Sequence, residues 1–360
     1  CCVKLKASGR VAQLAEQCPF KAWVDGSSPS ALTKFLATSA HLLFRFLSGA
    51  FMKSALSLLM GLAIFSLLSV SPSIPAAACA SAAVPSTIAS YDANVLGVKV
   101  HYTMAGHGPA VILLHGYAET SRMWMPIIPV LAARFTVIVP DLPGIGDSAI
   151  PAQGLDMKTA AIRIHELARS LGVSKARVVG HDIGLMVAYA YAAQFPSETE
   201  KLVVMDAFLP GVAGWEGVYN NPNLWHFRFH GSTPEALVQG RERTYYDYYW
   251  NEFAADRSRS IPEADRQAYA AAYARPGRMR AGWGYFDSFP QAANDFAQLS
   301  QTRLTMPVLS IGGDKSLGRV LGDQMKLVAT DVTVIVLKNT GHWLMEENPR
   351  ETTDALVKFL

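Results

Sequence analysis

The sequence predicts an α/β fold: a mostly parallel, doubly wound sheet interrupted by an inserted helical cap. Three observations carry that expectation. Short continuous apolar runs recur along the chain, helical patterns lie between them, and one long interval contains no such run. Continuous runs of this length suit strands buried on both faces, as in a parallel sheet. In order they are Val95–Thr103, Ala110–Leu114, Phe135–Pro140, Ala176–Val179, Lys201–Met205, Pro307–Ile311 and Val332–Leu337. Met157–Leu171 and Gly184–Gln194 read as helices between them. Alternation of this kind implies a doubly wound sheet. From Pro210 to Ala297 the chain is instead rich in Tyr, Trp, Arg and Ala, with helical stretches Pro234–Phe253 and Pro262–Ala274. Residues 210–297 are therefore expected to form a cap above the carboxyl ends of the strands, where open α/β sheets bind ligands. Residues 81–209 and 298–360 supply the two parts of the core.

The N-terminal stretch has a different character. Met52-Lys53 opens a short positive region, Ala55 to Val70 is almost entirely apolar, and small residues lead to Ala78-Cys79-Ala80. That layout is a secretory signal peptide over 52–80, with cleavage expected after Ala80. The apolar run of about 16 residues is short for a membrane span, so no stable span is expected in the mature protein. Export to the periplasm or the medium follows; lipid attachment at Cys79 is the alternative. Residues 1–51 begin at Cys1, and Gly9 to Gln17 resembles the conceptual translation of a transfer-RNA gene upstream of a start at Met52. That segment is expected to lie upstream of the native chain and to take no part in the fold.

Charge and cysteine usage exclude several function classes. The chain carries 32 Lys+Arg against 29 Asp+Glu, but from Ser81 onward the balance is 25 against 27. With no basic patch interleaved with aromatics, nucleic-acid binding has no support. The cysteines are Cys1, Cys2, Cys18 and Cys79. None follows the expected cleavage point, which excludes a disulfide framework, a thiol nucleophile and a cysteine metal site from the exported region. A core of about 280 residues needs no such staples. No cofactor and no metal is expected.

The chemistry concentrates in Gly180-His181-Asp182-Ile183-Gly184, a Gly-x-Asp-x-Gly turn between a strand and a helix. Its glycines permit a sharp turn that raises the middle side chain above the sheet. Serine is the usual occupant, but a carboxylate can also act as a covalent nucleophile. His342, in Thr340-Gly341-His342-Trp343 after the last strand, stands where the order nucleophile–acid–His requires a base. Asp206 and Asp314 each follow a strand, and either could orient the imidazole. The loop His115-Gly116-Tyr117 would supply one oxyanion-hole N–H from Tyr117, and Ile183 the other. His115 itself reads as structural.

Together, His115-Gly-Tyr, Asp141-Leu-Pro-Gly-Ile-Gly-Asp-Ser, Gly180-His-Asp-Ile-Gly and Gly341-His-Trp resemble the epoxide hydrolase and haloacid dehalogenase branch of the α/β-hydrolases. The resemblance runs from about Val98 to the C-terminus. It continues into the cap through Leu224-Trp225-His226-Phe227, Gly240-Arg-Glu-Arg, Ala274-Arg-Pro and Trp283-Gly-Tyr-Phe, where it is most similar to secreted bacterial epoxide hydrolases. It implies an α/β-hydrolase fold, a small-molecule substrate (an epoxide or an organohalide) and Asp206 as the triad acid. It also implies that His226 serves as one of two cap donors to the epoxide oxygen. The second donor, a tyrosine in most such enzymes, falls at Phe286, with Tyr285 beside it. Phe286 has no hydroxyl, so Tyr285 or another cap tyrosine would have to substitute. The cluster Tyr245, Tyr246, Tyr248 and Tyr249 reads as cap packing. Dehalogenation by the same nucleophile is the alternative activity. Haloacetate enzymes carry arginines just after the nucleophile, and haloalkane enzymes carry a halide-binding Trp there; this chain has Ile183 and Met186. Trp124 and Trp225 remain candidates for a substrate or halide pocket. A catalytically idle, exported ligand-binding protein is the non-enzymatic alternative.

Overall fold

The structure, a computed structural model, describes residues 87–360. The upstream segment 1–51, the leader 52–80 and Cys79 lie outside the described residues. No described helix is long and apolar enough to cross a membrane.

Eight strands form one sheet in the order β1-β2-β4-β3-β5-β6-β7-β8. They span β1 Ala89–Val95, β2 Val98–Ala105, β3 Ala110–Leu114, β4 Thr136–Pro140, β5 Ala176–His181, β6 Thr199–Met205, β7 Val308–Gly313 and β8 Val332–Leu337. The β1–β2 and β2–β4 pairings are antiparallel, and all others are parallel. One strand was not anticipated. The run expected over Val95–Thr103 is the end of one strand and most of the next, joined by a two-residue turn at Leu96 (φ 49°) and Gly97 (φ 77°). Positive φ at both central residues matches the twist of a hairpin. Leu96 is an unusual occupant, which hid the turn, and polar residues along the exposed β1 hid the strand.

Side chains alternate across the sheet, as strand geometry requires. Ile112, Leu114, Val178 and Val204 belong to one core cluster. Val111, Leu113, Val179 and Val203 belong to the other, with Trp124, Leu131 and Leu356. The flanking helices begin with α1 Ile128–Ala132, α2 Met157–Ser170 and α3 Ile183–Gln194. At the start of α2 the Asp156 carboxylate accepts the Thr159 N–H at 2.8 Å, satisfying an otherwise unpaired helix donor. Helix α3 is apolar on all sides and buried from Ile183 to Ala192, which fits its place against β3, β5 and β6 and beside α2.

Between β6 and β7 the regular structure is helical. It comprises α4 Trp215–Tyr219, a 3₁₀ segment Pro222–Arg228, α5 Ser232–Val238, α6 Glu242–Glu252, a short 3₁₀ turn Arg257–Arg259, α7 Glu263–Tyr273, α8 Arg278–Asp287 and α9 Phe289–Leu299. The single helix expected over Pro234–Phe253 is two, because Gly240 takes a positive φ between α5 and α6. Helices α10 Val320–Val328, α11 Leu344–Glu347 and α12 Pro349–Phe359 complete the chain.

This topology fixes where chemistry can occur. Strand β3 lies between β4 and β5, so strand order reverses there. The loops after β3 and β5 leave a crevice at that switch point. The first loop carries His115-Gly116-Tyr117 and the second carries Asp182. Helix α3 closes on β3 so tightly that a Cβ at Gly184 would lie 2.5 Å from the carbonyl oxygens of Leu114 and His115. Gly184→Ala should therefore force α3 off the sheet and cost about 1–3 kcal/mol, the usual penalty for overpacking. Urea unfolding should show a lower midpoint at unchanged slope; an unshifted midpoint would contradict this account of the turn.

Candidate active site

Asp182 ends the β5–α3 turn with φ 51° and ψ −123°. A non-glycine residue in that region is strained. Two contacts hold it there. Its N–H donates to Met205 O at 3.1 Å, extending the β5–β6 pairing by one residue, and the Asp182 carbonyl accepts from Leu185 N at 3.0 Å. The side chain consequently rises above the sheet. Its Oδ1 accepts the Tyr117 N–H at 2.8 Å, and its Oδ2 lies 3.8 Å from His342 Nε2. Ile183 is the first residue of α3, where an N–H has no intrahelical acceptor.

Asp206 follows β6, also with positive φ (49°). Its buried carboxylate meets His342 Nδ1 through Oδ2 at 2.9 Å. Ser316 Oγ donates to the same oxygen at 2.6 Å, and Gly313 N–H donates to Oδ1 at 3.1 Å. Asp314 is placed elsewhere. It accepts the Thr340 N–H at 3.3 Å and lies 3.7 Å from Lys338 Nζ, so it caps the loop rather than touching the imidazole. Of the two candidate acids, the geometry brings Asp206 to His342. Burial pushes the His342 imidazole down, but the hydrogen bond and charge of Asp206, with Asp182 and Glu119 nearby, outweigh it and hold the group at about 9.

Behind this constellation lies a buried pair that the sequence reading did not single out. Glu119 Oε2 lies 3.1 Å from His181 Nδ1, and His181 Nε2 lies 2.9 Å from the His342 carbonyl oxygen. Burial raises Glu119 to about 8 and lowers His181 to about 4. The signal was weak in sequence: one Glu two residues beyond Tyr117 and one His inside the turn motif. His115 is structural, as expected. It contacts Gly116 O through Nδ1 at 2.8 Å and accepts the Leu142 N–H on Nε2 at 3.0 Å.

The cap supplies an aromatic roof. His226 is buried, with ring centroids of Tyr249 at 5.0 Å, Phe286 at 5.4 Å and Phe253 at 5.7 Å. Its Nδ1 and the Tyr249 hydroxyl are buried without hydrogen-bond partners. Burial drives the His226 imidazole down to about 3, against the pull of Asp182. Phe286 packs edge-on to Tyr117 at 4.5 Å, so position 286 does face the site. Trp225 joins the same cluster, 5.9 Å from Tyr249. Two expected pocket residues are elsewhere. Tyr285 turns away and donates to Pro143 O at 3.0 Å. Helical periodicity explains this, since adjacent residues on α8 point about 100° apart. Trp124 is fully buried in the second core cluster, with Val111 and Leu113, while Tyr117 and Phe286 belong to the first. The tyrosine cluster is partly packing. Tyr245 accepts from Tyr117 at 3.2 Å and from Trp283 Nε1 at 3.0 Å, and Tyr246 donates to Met279 Sδ at 3.3 Å. Tyr249 is the exception.

Among the described residues, His101, Asp141 and Asp147 bring potential ligand atoms within 4.8 Å of one another. Asp141 already accepts the N–H groups of Ser121 and Asp147, and Asp147 pairs with Arg275 at 2.7 Å. The trio reads as loop capping.

Residues 109–349 match the family described as alpha/beta hydrolase fold. The chain belongs to this family. The hydrolase is 32% identical over 279 residues to a soluble epoxide hydrolase from Corynebacterium sp., covering 76% of this chain and 97% of the relative. A solved structure of an epoxide hydrolase, CorEH, superposes with a TM-score of 0.71 at 30% identity, over 76% of this chain and 98% of that one. A fluoroacetate dehalogenase from Burkholderia sp. is 30% identical over 176 residues, 45% of this chain and 58% of the relative.

A second carboxylate ties the cap to the hydrolase's histidine loop. Buried Glu347 accepts Gly341 N and Trp343 N on Oε1, at 3.1 and 3.3 Å. It accepts Ala255 N and Asp256 N on Oε2, at 2.7 and 3.4 Å. His342 N–H donates to Phe253 O at 2.9 Å alongside. Glu347→Gln would turn an amide NH₂ toward two N–H donors. It should cost about 1–3 kcal/mol and speed amide exchange at Ala255 and Asp256; unchanged exchange there would remove Glu347 as the tether.

Proposed function

We propose that this hydrolase opens epoxides to vicinal diols through a covalent ester on Asp182. The observation that carries the reading is the Tyr117 N–H seated on Asp182 Oδ1 at 2.8 Å. That contact leaves Oδ2 to attack, and it holds Oδ1 where negative charge must develop when the ester is later hydrolysed. In the first half-reaction Asp182 Oδ2 forms a bond to an epoxide carbon as the C–O bond breaks. The alkoxide is met by donors from the cap. His226 is neutral at physiological pH, so it acts as an N–H donor rather than a full acid, a role open to a neutral imidazole. Tyr249, with a buried hydroxyl free of partners and its ring 5.0 Å from His226, supports the second donor role that Phe286 cannot fill.

The second half-reaction needs a base. His342 is held protonated up to about 9 partly by the Asp182 charge. Esterification removes that charge, so the imidazole pKa falls and the proton it gives up neutralises the alkoxide. The neutral ring can then take a proton from the water that attacks the ester Cγ, with Asp206 stabilising the imidazolium. The tetrahedral oxyanion sits between Tyr117 N–H and Ile183 N–H; as it collapses, the Cγ–O bond to the alkyl group breaks, the departing oxygen takes the proton from the His342 imidazolium, and the diol leaves.

Dehalogenation is the second reading, favoured by the similarity to a fluoroacetate dehalogenase. Buried, apolar Ile183 and Met186 offer no cation for a haloacid carboxylate, which weighs against that substrate class.

Brief exposure to a terminal epoxide followed by mass spectrometry should find the adduct on Asp182. His342→Gln should accumulate it, because alkylation needs no base; Asp182→Ala should form none. Asp206→Asn should lower turnover by up to ~10⁴-fold, as in the comparable serine-protease triad, while Asp314→Asn should be mild. Multiple turnover in the Asp182→Ala protein would exclude the mechanism.

The cap donors give a separate expectation. Loss of one oxyanion donor costs ~10²–10³ in rate, so His226→Phe and Tyr249→Phe should each slow single-turnover epoxide alkylation to that extent. Phe286→Tyr should raise it. A halide leaves without a proton, so dehalogenation should gain little from the added hydroxyl. Epoxide alkylation indifferent to all three changes would return these residues to packing roles.

A further inference from the structure

We propose that Glu119 and His181 share one proton in a buried relay that positions His342 for the hydrolytic step, and that loss of this proton misplaces the base. The inference rests on the reading of Asp182 and His342 given above, but its physical basis is separate.

The His342 carbonyl can only accept, so His181 Nε2, 2.9 Å away, must carry hydrogen. A neutral imidazole then leaves Nδ1 as an acceptor. Its neighbour at 3.1 Å is Glu119 Oε2, which must in turn carry hydrogen. The arrangement is therefore Glu119 O–H to His181 Nδ1, and His181 Nε2–H to His342 O. The alternative is a glutamate–imidazolium ion pair, with both side chains 0% exposed. Burial favours the neutral form of each group, raising Glu119 to about 8 and lowering His181 to about 4.

The pair touches three loops at once. Glu119 lies on the loop after β3, His181 ends β5, and His342 follows β8. A Cβ added to Gly116 would lie 2.9 Å from Asp182 Cβ, 2.9 Å from His181 Nδ1 and 3.1 Å from Glu119 Oε2. The relay thus sits beneath both the Tyr117 N–H and the Asp182 side chain. The imidazole of His181 is also 4.6 Å, centroid to centroid, from that of His342.

Other charged and titratable groups face Glu119. They are Asp182 and His342 on the site side, Glu346 on α11, and Asp265 and Tyr269 on α7, while Tyr273 donates to the Glu119 backbone oxygen at 3.2 Å. Asp182 and Asp265 add to the upward push, and His342 opposes it. If Glu119 ionises, His181 Nδ1 loses its donor. The imidazole can recover a bond to Glu119 only by moving its hydrogen to Nδ1. Nε2 then presents a lone pair to the His342 carbonyl, and the histidine loop loses this contact on its carbonyl side, keeping those of its N–H groups to Glu347 and Phe253.

The test separates alkylation from hydrolysis by rapid quench with a terminal epoxide, across pH 6 to 10. Glu119→Leu removes the relay and should slow ester hydrolysis by about 10²-fold, the scale of a small misplacement of a catalytic group, with a smaller effect on alkylation. Glu119→Gln presents an N–H to His181 Nδ1 at every pH and should rescue hydrolysis relative to the leucine variant. Wild-type hydrolysis should decline above pH of about 8, where Glu119 loses its proton, and Glu119→Gln should lack that decline. Equal hydrolysis in wild type and Glu119→Leu would overturn the proposal. So would an identical alkaline decline in Glu119→Gln, or no rescue by it. Nitrogen-15 shifts of labelled histidine decide the proton arrangement without any substrate. A neutral His181 with Nδ1 as acceptor at pH 7 supports the relay, and a doubly protonated ring overturns it. Absence of an ester in wild type would instead remove the Asp182 mechanism, leaving the nitrogen shifts to decide the pair.

Discussion

Helix α3 and strand β3 approach so closely that only hydrogen fits at Gly184, and this contact aims Asp182. A residue with φ 51° reverts to ordinary geometry unless its surroundings forbid it. Here β6 accepts its N–H on one side, and the packed start of α3 fixes the other. The Tyr117 N–H can meet Oδ1 only because the β3 loop is pressed against the same turn. The switch in strand order between β3 and β5 opens the crevice, and the contact at Gly184 determines what projects into it.

Electrostatics in this crevice depend on how many charges can be buried together. His342 lies between the carboxylates of Asp182 and Asp206, and that company outweighs its own burial. Glu119 would be a third negative charge in the same volume. It is raised instead, while its partner His181 is lowered, so the pair behind the site stays neutral. In the proposed mechanism, one cation between two carboxylates would become, once Asp182 is esterified, a weaker base with one partner. Under that proposal the contacts that stabilise the resting site would also prepare His342 to act as the base.

The cap meets a different demand. Its aromatic rings bury one another edge to face around His226, Tyr249, Phe286 and Phe289, which is favourable packing. Orphaned polar atoms stand out against that apolar background, because an unpaired buried donor is costly. His226 Nδ1 and the Tyr249 hydroxyl are two such atoms near the site. A substrate oxygen is the kind of partner that would satisfy them. Glu347 keeps this roof in register with the histidine loop through four backbone N–H groups.

The sequence by itself determined the sheet-and-cap plan, the turn bearing Asp182 and the loop bearing His342. Each is written locally, in apolar runs, paired glycines and a histidine after a strand. It left Asp206 and Asp314 open, because both follow strands and only the path of the β7 loop decides which one reaches an imidazole encoded well over a hundred residues from Asp206. It placed Tyr285 and Trp124 in the pocket, where the turn of α8 and the side of the sheet direct them away. The hairpin at Leu96-Gly97 escaped because its strand is exposed and polar. Glu119, His181, Ser316 and Glu347 carry no pattern of their own. Their partners come from distant strands and loops, so their hydrogen bonds exist only after the sheet has brought those segments together.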